Sequence, residues 1–409
     1  MNYKNLLLFF LLGLYLNGNS QNIPSLVLNK NINSTFSIVA YDADEQEWGI
    51  AVATNNIYVG SSTIYIEPGV GAFSVIAETE PIYGINGLAQ LKKGMSIEES
   101  IQNTRNSDEE SHYRQVSGID AKGQVYAFTG EALKYWKGSA AYLYGEGYVI
   151  MGNQLAENVL SKMAETYEKS RGTLAERLLE SLIAGQKAGG QITGKQSTAL
   201  AVKGSNHEWF NQIDFRVDNS KTPFNDLQVL LNYHYGRIRV NQTIYALKMN
   251  NEKRAQGLLL QAESLTDGWS GMYSKIALAH LLMGNEDKAI TVIQKALDEN
   301  KEWKSILPVF YCLKEHPEIK KLIHEEAFSV KDWNNAIMIM VELNRLDEGI
   351  QLAKRTLNTY PNSSYTHYLL GKALKKNGVL ERAKSSLEKA LQLDKENVEA
   401  QRLLLFLND

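Results

Sequence analysis

The sequence predicts an α+β domain followed by an all-α domain of helical repeats. Three observations carry this prediction. From Thr35 to about Val202, short runs with the alternation typical of strands are interspersed with amphipathic helical segments. From about Asn232 onward, strand-like runs stop. In that second part, small and apolar residues recur with the period of about 34 residues that is typical of one class of stacked helical hairpins.

Composition indicates a folded, soluble protein. The chain has 409 residues, of which 44% are hydrophobic and 22% are charged. The formal net charge of -3 argues against a general nucleic-acid-binding surface, because there is no basic excess to displace counterions. Cys312 is the single cysteine, so an intramolecular disulfide and a Cys-rich metal site are both excluded. Its apolar neighbours predict that it is buried.

The first residues have the features of a signal peptide. Lys4 supplies a positive charge, residues 6–16 form an apolar run, and Gly18 and Ser20 are small residues before a predicted cut after Ser20. The run is shorter than a membrane span of about 20 residues. We therefore expect a signal peptide over residues 1–20, an N-terminal extension over residues 21–34, and an exported protein that is periplasmic or secreted, without a membrane span after cleavage. The alternative is an uncleaved anchor.

The elements of the first domain follow from local patterns. Strands are predicted for TFSIVAYD, WGIAVATNN, GVGAFSVIAE, KQSTALAVKG and IDFRVDN, and a hairpin for VSGID and QVYAFTG. Helices are predicted for NGLAQLKK, for SIEESIQNTRN with Ser96 and Glu99 as a capping box, and for NQLAENVLSKMAETYEKS and TLAERLLESLIAGQKAGG. This order favours antiparallel sheets with helices packed on them.

The second domain, residues 237–409, resembles a tetratricopeptide array. Ala255 and Ala289 are separated by one such period, and THYLLGKALKKNGVLERAKSSLEKAL has the large and small residues of that repeat. Gly371 and Ala383 would let two helices approach closely. We expect about four to five units, with residues 301–326 as one degenerate unit. Such an array would bind a protein partner; the alternative is a stabilising or dimerising appendage, which leaves homo-oligomerisation open.

The first domain contains no familiar catalytic motif, so the start of its first strand is the remaining candidate for a catalytic residue. The sequence contains no GxSxG, Walker loop or HExxH, and its seven histidines lack metal-ligand spacing. An N-terminal threonine can act as a nucleophile with its own α-amine as the base, because that amine has a pKa of about 7.7–8.0. Thr35 opens the first strand and is the candidate nucleophile, provided that its amino group becomes free.

Several runs match, in order, a bacterial and archaeal family of unknown function that is placed among the N-terminal-nucleophile hydrolases. These runs are TFSIVAYD, GIAVATNN, EPGVGAFSV, YGINGLAQLKKGMS, RQVSGIDAKG, GEGYVIMGNQL and GKQSTALAV. The resemblance covers residues 35–230 and implies a four-layer αββα sandwich with Thr35 as the nucleophile. Family members usually carry Met directly before this Thr. Here a cut between Ser34 and Thr35 is needed, and some relatives of the fold make such a cut themselves.

One segment departs from the family pattern. The family usually has Gly-Gly-Asp-x-Arg-Gly-x-Gln-Ser where this chain reads GGQITGKQS. Gln191 and Thr193 therefore replace an acidic residue and an arginine, and the charge that those residues supply is missing here.

Other residues are candidates for the site. Asn55 and Asn56 end the second strand, where Asn55 would donate to an oxyanion and Asn56 would contact substrate; both are equally expected as turn residues. Glu78 is the acid of a mainly apolar strand, either a site carboxylate with a raised pKa or a surface residue.

Two further candidates lie later in the chain. Gly152 and Asn153 are interpreted as a strand-to-helix turn whose backbone N–H groups hold an anion, or as an ordinary helix start. Ser197 begins a strand that we expect beside Thr35, where its hydroxyl would orient the amine.

The sequence thus supports two functions. The first is an exported amidohydrolase of the N-terminal-nucleophile type that acts on a small peptide or an amino-acid-derived amide, without metal or organic cofactor. The second is the same fold without catalysis, a ligand-binding or scaffold protein whose repeats mediate protein–protein interaction. A free α-amine on Thr35 separates the two.

Overall fold

The computed structural model describes residues 34–208, 211–323 and 328–407. Two compact units divide between Leu231 and Asn232. The predicted signal peptide, and the extension up to residue 33, lie outside the described residues.

The first unit contains ten strands within its described part. They are β1 (Thr35–Asp42), β2 (Glu47–Thr54), β3 (Ile64–Glu67), β4 (Gly71–Ala77), β5 (Arg114–Asp120), β6 (Val125–Thr129), β7 (Ser139–Gly145), β8 (Tyr148–Leu155), β9 (Ser197–Gly204) and β10 (Ile213–Val217). A six-stranded sheet has the order β10-β9-β2-β1-β8-β7, and a four-stranded sheet has the order β3-β4-β5-β6. All pairings are antiparallel.

The two sheets pack face to face. A buried cluster joins side chains of both sheets: Val39, Trp48, Ile50 and Val149 from the six-stranded sheet, and Ala72, Ile119 and Ala127 from the four-stranded one. The Trp48 indole N–H also donates to the carbonyl of Asp120 across the interface, at 3.2 Å. This apolar layer is the central core of the domain.

Helices cover the outer face of each sheet. Helices α1 (Ile82–Lys92) and α2 (Ile97–Ser107) pack on the four-stranded sheet, where Tyr83 and Ile97 meet Phe73. Helices α3 (Val159–Lys169) and α4 (Leu174–Lys187) pack on the six-stranded sheet. The predicted α+β class and the four-layer αββα sandwich are therefore confirmed.

Local capping explains where these helices begin. The hydroxyl of Ser96 accepts from the backbone N–H of Glu99, whose carboxylate accepts in return from Ser96, so the predicted capping box is confirmed. Thr173 and Glu176 form the same arrangement at the start of α4. The helix α4 ends at Lys187, just before two glycines with positive φ.

One predicted element is wrong. Gly152 and Asn153 do not form a strand-to-helix turn; they lie inside β8, and the next helix begins at Val159. Every residue of β8 is buried, so the strand lacks the alternation of polar and apolar residues by which a half-exposed strand is recognised. Gly152 is needed there because an added Cβ would lie 2.8 Å from the Cβ of Phe36 on the neighbouring strand.

The second unit is all-helical in its described part. Helix α5 (Pro223–Lys248) contains the division point, and it is followed by α6 (Glu252–Leu265), α7 (Tyr273–Leu282), α8 (Glu286–Glu299), α9 (Leu307–Lys314), α10 (Pro317–Lys321), α11 (Val330–Glu342), α12 (Leu346–Thr359), α13 (Ser364–Lys376), α14 (Leu380–Leu393) and α15 (Val398–Leu405). None of the helices in the described ranges is long and apolar enough to cross a membrane.

The period predicted from the sequence is visible in the helix starts. Val330, Ser364 and Val398 each begin a helix and follow one another at equal intervals of one repeat, and Glu252 and Glu286 are separated by the same interval. Short turns (283–285, 343–345 and 377–379) join the hairpins α7–α8, α11–α12 and α13–α14. The short helices α9 and α10 interrupt this regularity, and Cys312 in α9 is buried as expected.

Gly371 confirms the predicted close approach of two helices. A Cβ at this position would lie 2.7 Å from Cγ of Leu387, a fully buried residue of α14. The smallest side chain is therefore required where α13 crosses α14.

We predict opposite effects for the same substitution at two helical glycines. Gly371→Ala should lower the free energy of unfolding by about 1 kcal/mol or more, because overpacking outweighs the gain in helix propensity. Gly257→Ala, in α6 with open space around it, should raise the free energy of unfolding by roughly 0.5–1 kcal/mol. Urea unfolding of the full chain measures both changes. Equal shifts in the two variants would contradict the packing argument.

Candidate active site

Polar residues form a row across four neighbouring strands of the six-stranded sheet. Thr35 pairs with Thr54 on one side and with Asn153 on the other, and Thr54 pairs in turn with Ser197. Because register partners in a sheet project from the same face, these four side chains share one face. All four are at least nine-tenths buried.

The shared face is the one between the two sheets. Ser37 lies two residues after Thr35 and therefore projects from the same face. Its hydroxyl accepts from Ser74 of the four-stranded sheet, at 2.9 Å. Thr35 thus begins β1 at one end of the layer between the sheets.

Both polar groups of Thr35 are held by neighbouring strands. Its backbone N–H donates to Oδ1 of Asn153 at 3.2 Å. Its hydroxyl lies 2.8 Å from the hydroxyl of Thr54. Thr54 donates its own proton to the carbonyl oxygen of Ser34 at 2.9 Å, so the Thr35 hydroxyl must be the donor to Thr54.

The carbonyl oxygen of Ser34 has three donors. Besides Thr54, it accepts from the backbone N–H of Asn55 at 3.1 Å and from Nε2 of Gln191 at 2.6 Å. This carbonyl belongs to the peptide bond that precedes Thr35. Converging donors stabilise the negative charge that develops on such an oxygen when its carbon is attacked.

The loop of residues 189–196 closes over the start of β1. The hydroxyl of Thr193 lies 2.6 Å from that of Ser34, and the carbonyl of Thr193 accepts from Nδ2 of Asn55 at 2.8 Å. The N–H of Gln196 donates to the carbonyl of Thr54 at 2.9 Å. Gln191 and Thr193 therefore contact Ser34 directly, and they do so with neutral groups in place of the acidic residue and the arginine of the family pattern.

A second amide fixes the orientation of Asn153. Its Nδ2 donates to Oε1 of Gln115, on the four-stranded sheet, at 3.2 Å. Nε2 of Gln115 in turn contacts Oγ1 of Thr129 at 2.9 Å and the carbonyl of Gly152 at 3.0 Å. Since Gln115 takes the donor end of Asn153, the acceptor end faces the nitrogen of Thr35.

Two non-glycine residues near this end have left-handed backbone. Gln154 has φ of 51°, and Ala77, at the end of β4, has φ of 69°. Each such residue costs of the order of 1 kcal/mol or more and persists where the surrounding structure enforces it. At Gln154 the pairing of β8 with β7 shifts register between Ser139 and Ala141, as in a β-bulge.

The candidates Asn55 and Asn56 occupy different environments. The side chain of Asn55 binds the loop at Thr193, so its backbone N–H, rather than its amide side chain, reaches the carbonyl of Ser34. Asn56 is exposed, and its Oδ1 accepts from the backbone N–H of Ile57 at 2.8 Å, which is a turn contact.

Glu78 lies outside the first contacts of Thr35. It follows β4 in a bend, where Arg114 donates to its carbonyl at 2.9 Å. Arg114 is held by Asp108, and Tyr83 donates to the same carboxylate. Although burial pushes the pKa of Asp108 upward, hydrogen bonds and the charge of Arg114 leave it below the usual range.

The sequence predicted that Ser197 lies beside Thr35, and this prediction is wrong. Its strand β9 pairs with β2, so Thr54 stands between the two residues. Its buried hydroxyl has no hydrogen-bond partner among the described residues. Strand order is a property of the sheet that the local pattern around Ser197 does not contain.

Two residues around Thr35, Thr54 and Gln115, were not predicted from the sequence. Thr54 could have been found from hairpin register, because an acidic turn between β1 and β2 sets the end of β2 opposite Thr35. Gln115 has no comparable local signal, since it approaches from the other sheet.

The repeat unit has its own concave site. A cavity of about 550 Å³ is lined by aromatic and charged residues: Tyr311, Phe328, Trp333, Tyr360, Glu315, Lys320 and Arg355. The guanidinium of Arg355 lies over the ring of Trp333 and pairs with Glu315 at 2.5 Å.

The first unit has a cavity of about 680 Å³ that is distant from Thr35. Val70 and Asp120 line it, and they lie at the ends of β4 and β5 that are far from Gln115.

Comparison with known families assigns both units. Residues 35–227 match the "Family of unknown function (DUF1028)", and residues 270–302 and 364–397 match the tetratricopeptide repeat. The first unit thus matches a family of unknown function over residues 35–227, and two segments of the second unit match a repeat whose copies stack to form extended surfaces. No curated protein matches the chain.

Several solved structures are similar to parts of the chain. Protein SPO2555 from Silicibacter pomeroyi, of the same family, is 27% identical over 48% of this chain and 84% of its own, with a TM-score of 0.45. MamA (41-end) from Desulfovibrio magneticus RS-1 is 16% identical over 42% of this chain and 83% of its own, with a TM-score of 0.21. YrrB, described as a tetratricopeptide-repeat protein with an unusual peptide-binding site, is 17% identical over 40% of this chain and 89% of its own, with a TM-score of 0.22.

We predict that Asn153 and Asn56 differ sharply in their contribution to stability. Asn153→Ala should lower the free energy of unfolding by about 2–4 kcal/mol, because it leaves the buried nitrogen of Thr35 and Oε1 of Gln115 without partners. Asn56→Ala, at an exposed turn, should change it by no more than about 0.5 kcal/mol. Denaturant unfolding measures both. Similar values for the two variants would refute the role given to the buried amide pair.

Proposed function

Residues 35–227 form a domain of a family whose function is unknown, and we propose that this domain is an exported amidohydrolase of the N-terminal-nucleophile type. Its substrate is a small peptide or an amino-acid-derived amide. Thr35 is the nucleophile, and its own amine, freed by a cut after Ser34, is the base. The observation that carries the proposal is the carbonyl of Ser34, which accepts three hydrogen bonds next to the hydroxyl of Thr35.

The same contacts support self-cleavage. The Thr35 oxygen adds to the carbonyl carbon of Ser34, while its proton passes to Thr54 and the proton of Thr54 passes to the carbonyl oxygen. Breaking the C–N bond then leaves an ester on the Thr35 oxygen, and the nitrogen takes back one proton to become an amine. Water hydrolyses the ester, which yields the carboxyl group of Ser34 and restores the hydroxyl of Thr35.

After the cut, the residues around Thr35 are suited to hydrolysis of an external amide. The free amine takes the hydroxyl proton as Thr35 attacks the substrate carbonyl, and Oδ1 of Asn153 orients that amine. The N–H groups of Asn55 and Gln191 bind the developing oxyanion. The amine then gives its proton to the leaving nitrogen, and water hydrolyses the ester.

Export and partner binding complete the proposal. The leader pattern of residues 1–20 supports passage to the periplasm or the exterior. The repeats recruit a protein partner and place the enzyme on it. The aromatic cavity around Trp333 is a candidate contact for a segment of that partner.

A second candidate is a non-catalytic scaffold. One observation favours it: Thr35 is only 8% exposed, and its nitrogen and hydroxyl are both engaged in hydrogen bonds within the uncut chain. If Thr35 stays internal, the first domain binds a ligand or supports the repeats, and the repeats carry the function.

We predict that the mature chain begins at Thr35. Intact mass and N-terminal sequencing of protein from the exported compartment measure this directly. Thr35→Ala should remain uncut at Ser34, because the attacking oxygen is removed, whereas Thr35→Ser should still be cut. A mature wild-type chain that begins at Gln21 would refute the hydrolase and favour the scaffold.

We predict that Thr54 is needed for the cut. Thr54→Val removes the donor to Ser34 and the acceptor from Thr35, so the rate of self-cleavage should fall by about 10²–10³-fold. Mass spectrometry of freshly folded precursor over time measures this rate.

The matched control is Thr198→Val. Thr198 is equally buried, but its hydroxyl donates to the carbonyl of Pro223, at 2.9 Å, away from Thr35. This variant should have a lower free energy of unfolding, but its rate of self-cleavage should be unchanged. Equal slowing by both variants would show that Thr54 acts through stability alone.

A further inference from the structure

Ser34 is held by its side chain as well as by its carbonyl. Its residue is fully buried, and its hydroxyl lies 2.6 Å from that of Thr193. This contact is not needed to polarise the peptide bond. We infer that the site occupied by Ser34 is the acyl-binding pocket of the enzyme, an inference that rests on the proposed function. The pocket selects amides whose acyl residue is small, uncharged and hydroxyl-bearing, as in a seryl amide.

Self-cleavage of the Ser34–Thr35 bond and hydrolysis of an external amide use the same site, because both pass through an ester of Thr35. Self-cleavage passes through an ester in which the acyl group of Ser34 is bound to the Thr35 oxygen. Hydrolysis of an external amide passes through an ester of that same oxygen with the acyl group of the substrate. The two esters differ only in the acyl group that they carry. The site that holds the residue Ser34 is therefore the site that must hold the acyl residue of a substrate.

The lining of this pocket defines the acyl group that fits. Among the residues that the structure describes, the side chains with a hydrogen bond to Ser34 are neutral, namely those of Thr54, Gln191 and Thr193. A charged acyl side chain would lose its hydration there without gaining a counter-charge from these residues, which is costly. A side chain much larger than that of serine would have to displace the loop of residues 189–196.

Two groups in the pocket recognise polar atoms. The hydroxyl of Thr193 contacts the hydroxyl of the acyl residue. Oε1 of Gln191 is buried without a hydrogen-bond partner among the described residues, although Nε2 of the same amide binds the carbonyl of Ser34. The backbone N–H of Ser34 does not fill this acceptor, so it is available to a donor that a substrate carries elsewhere near the acyl carbonyl.

Amide hydrolysis by the mature protein tests the inference. The probes are the p-nitroanilides of serine, alanine, aspartate and lysine, and the readout is kcat/KM. We expect the seryl amide to exceed the alanyl amide by about tenfold, the worth of one hydrogen bond, and both to exceed the charged ones. Thr193→Val should reduce the serine-to-alanine ratio to near one, and Thr198→Val should leave the ratio unchanged.

Self-cleavage supplies a second measurement that needs no external substrate. Ser34→Ala and Thr193→Val should each slow the cut about tenfold, and the double variant should be no slower than either, because both remove the same contact. If the two substitutions slowed the cut additively in the double variant, the assignment of the acyl-binding pocket would be wrong.

The outcomes separate this inference from the proposed function. Hydrolysis of the amides without preference for serine overturns the acyl pocket but leaves an amidohydrolase. Absence of any amide hydrolysis by a chain that begins at Thr35 overturns the amidohydrolase, and the substrate class with it. A seryl preference that depends on Thr193 supports both.

Discussion

The antiparallel register of β1 with its two neighbours is the constraint on which the candidate site depends. Thr35 lies opposite Thr54 and Asn153, and all three project between the sheets. A slip of β1 by one residue would turn Thr35 and Ser37 toward the helices and would bring Phe36 and Ile38 into the layer between the sheets. The apolar core between the sheets therefore holds the register, and the register in turn positions the polar groups around Thr35.

The polar end of the sandwich is organised by neutral amides and hydroxyls. Gln115, Asn153 and Thr35 are linked in series across the two sheets, and Thr54 links the hydroxyl of Thr35 to the carbonyl of Ser34. Such groups can be buried at acceptable cost only when they are paired, so the network also restricts how each side chain is oriented. The replacement of two expected charges by Gln191 and Thr193 is consistent with this environment, because both residues bind Ser34 with neutral groups.

The repeat unit follows a simpler rule. Its helices recur at a fixed interval because each hairpin buries its apolar face against the next, and Gly371 opposite Leu387 shows how closely two helices must approach. The aromatic cavity around Trp333 lies where the short helices α9 and α10 break the regular spacing. The departure from regularity thus coincides with the concave feature that a partner could contact.

The sequence by itself determined the two-domain organisation, most elements and the candidate nucleophile. These are readable because alternation, helical periodicity, the capping box at Ser96 and the regular spacing of the repeats are local or recurring patterns. It could not decide which strands are neighbours, so Ser197 was expected beside Thr35 although β2 lies between them. It also misread Gly152 and Asn153, because a strand buried on both faces loses its alternation. Only the tertiary structure decided that Thr54 and Gln191 bind the carbonyl of Ser34 and that Gln115 orients Asn153 beside the nitrogen of Thr35, since residues from distant segments converge there through sheet pairing and packing.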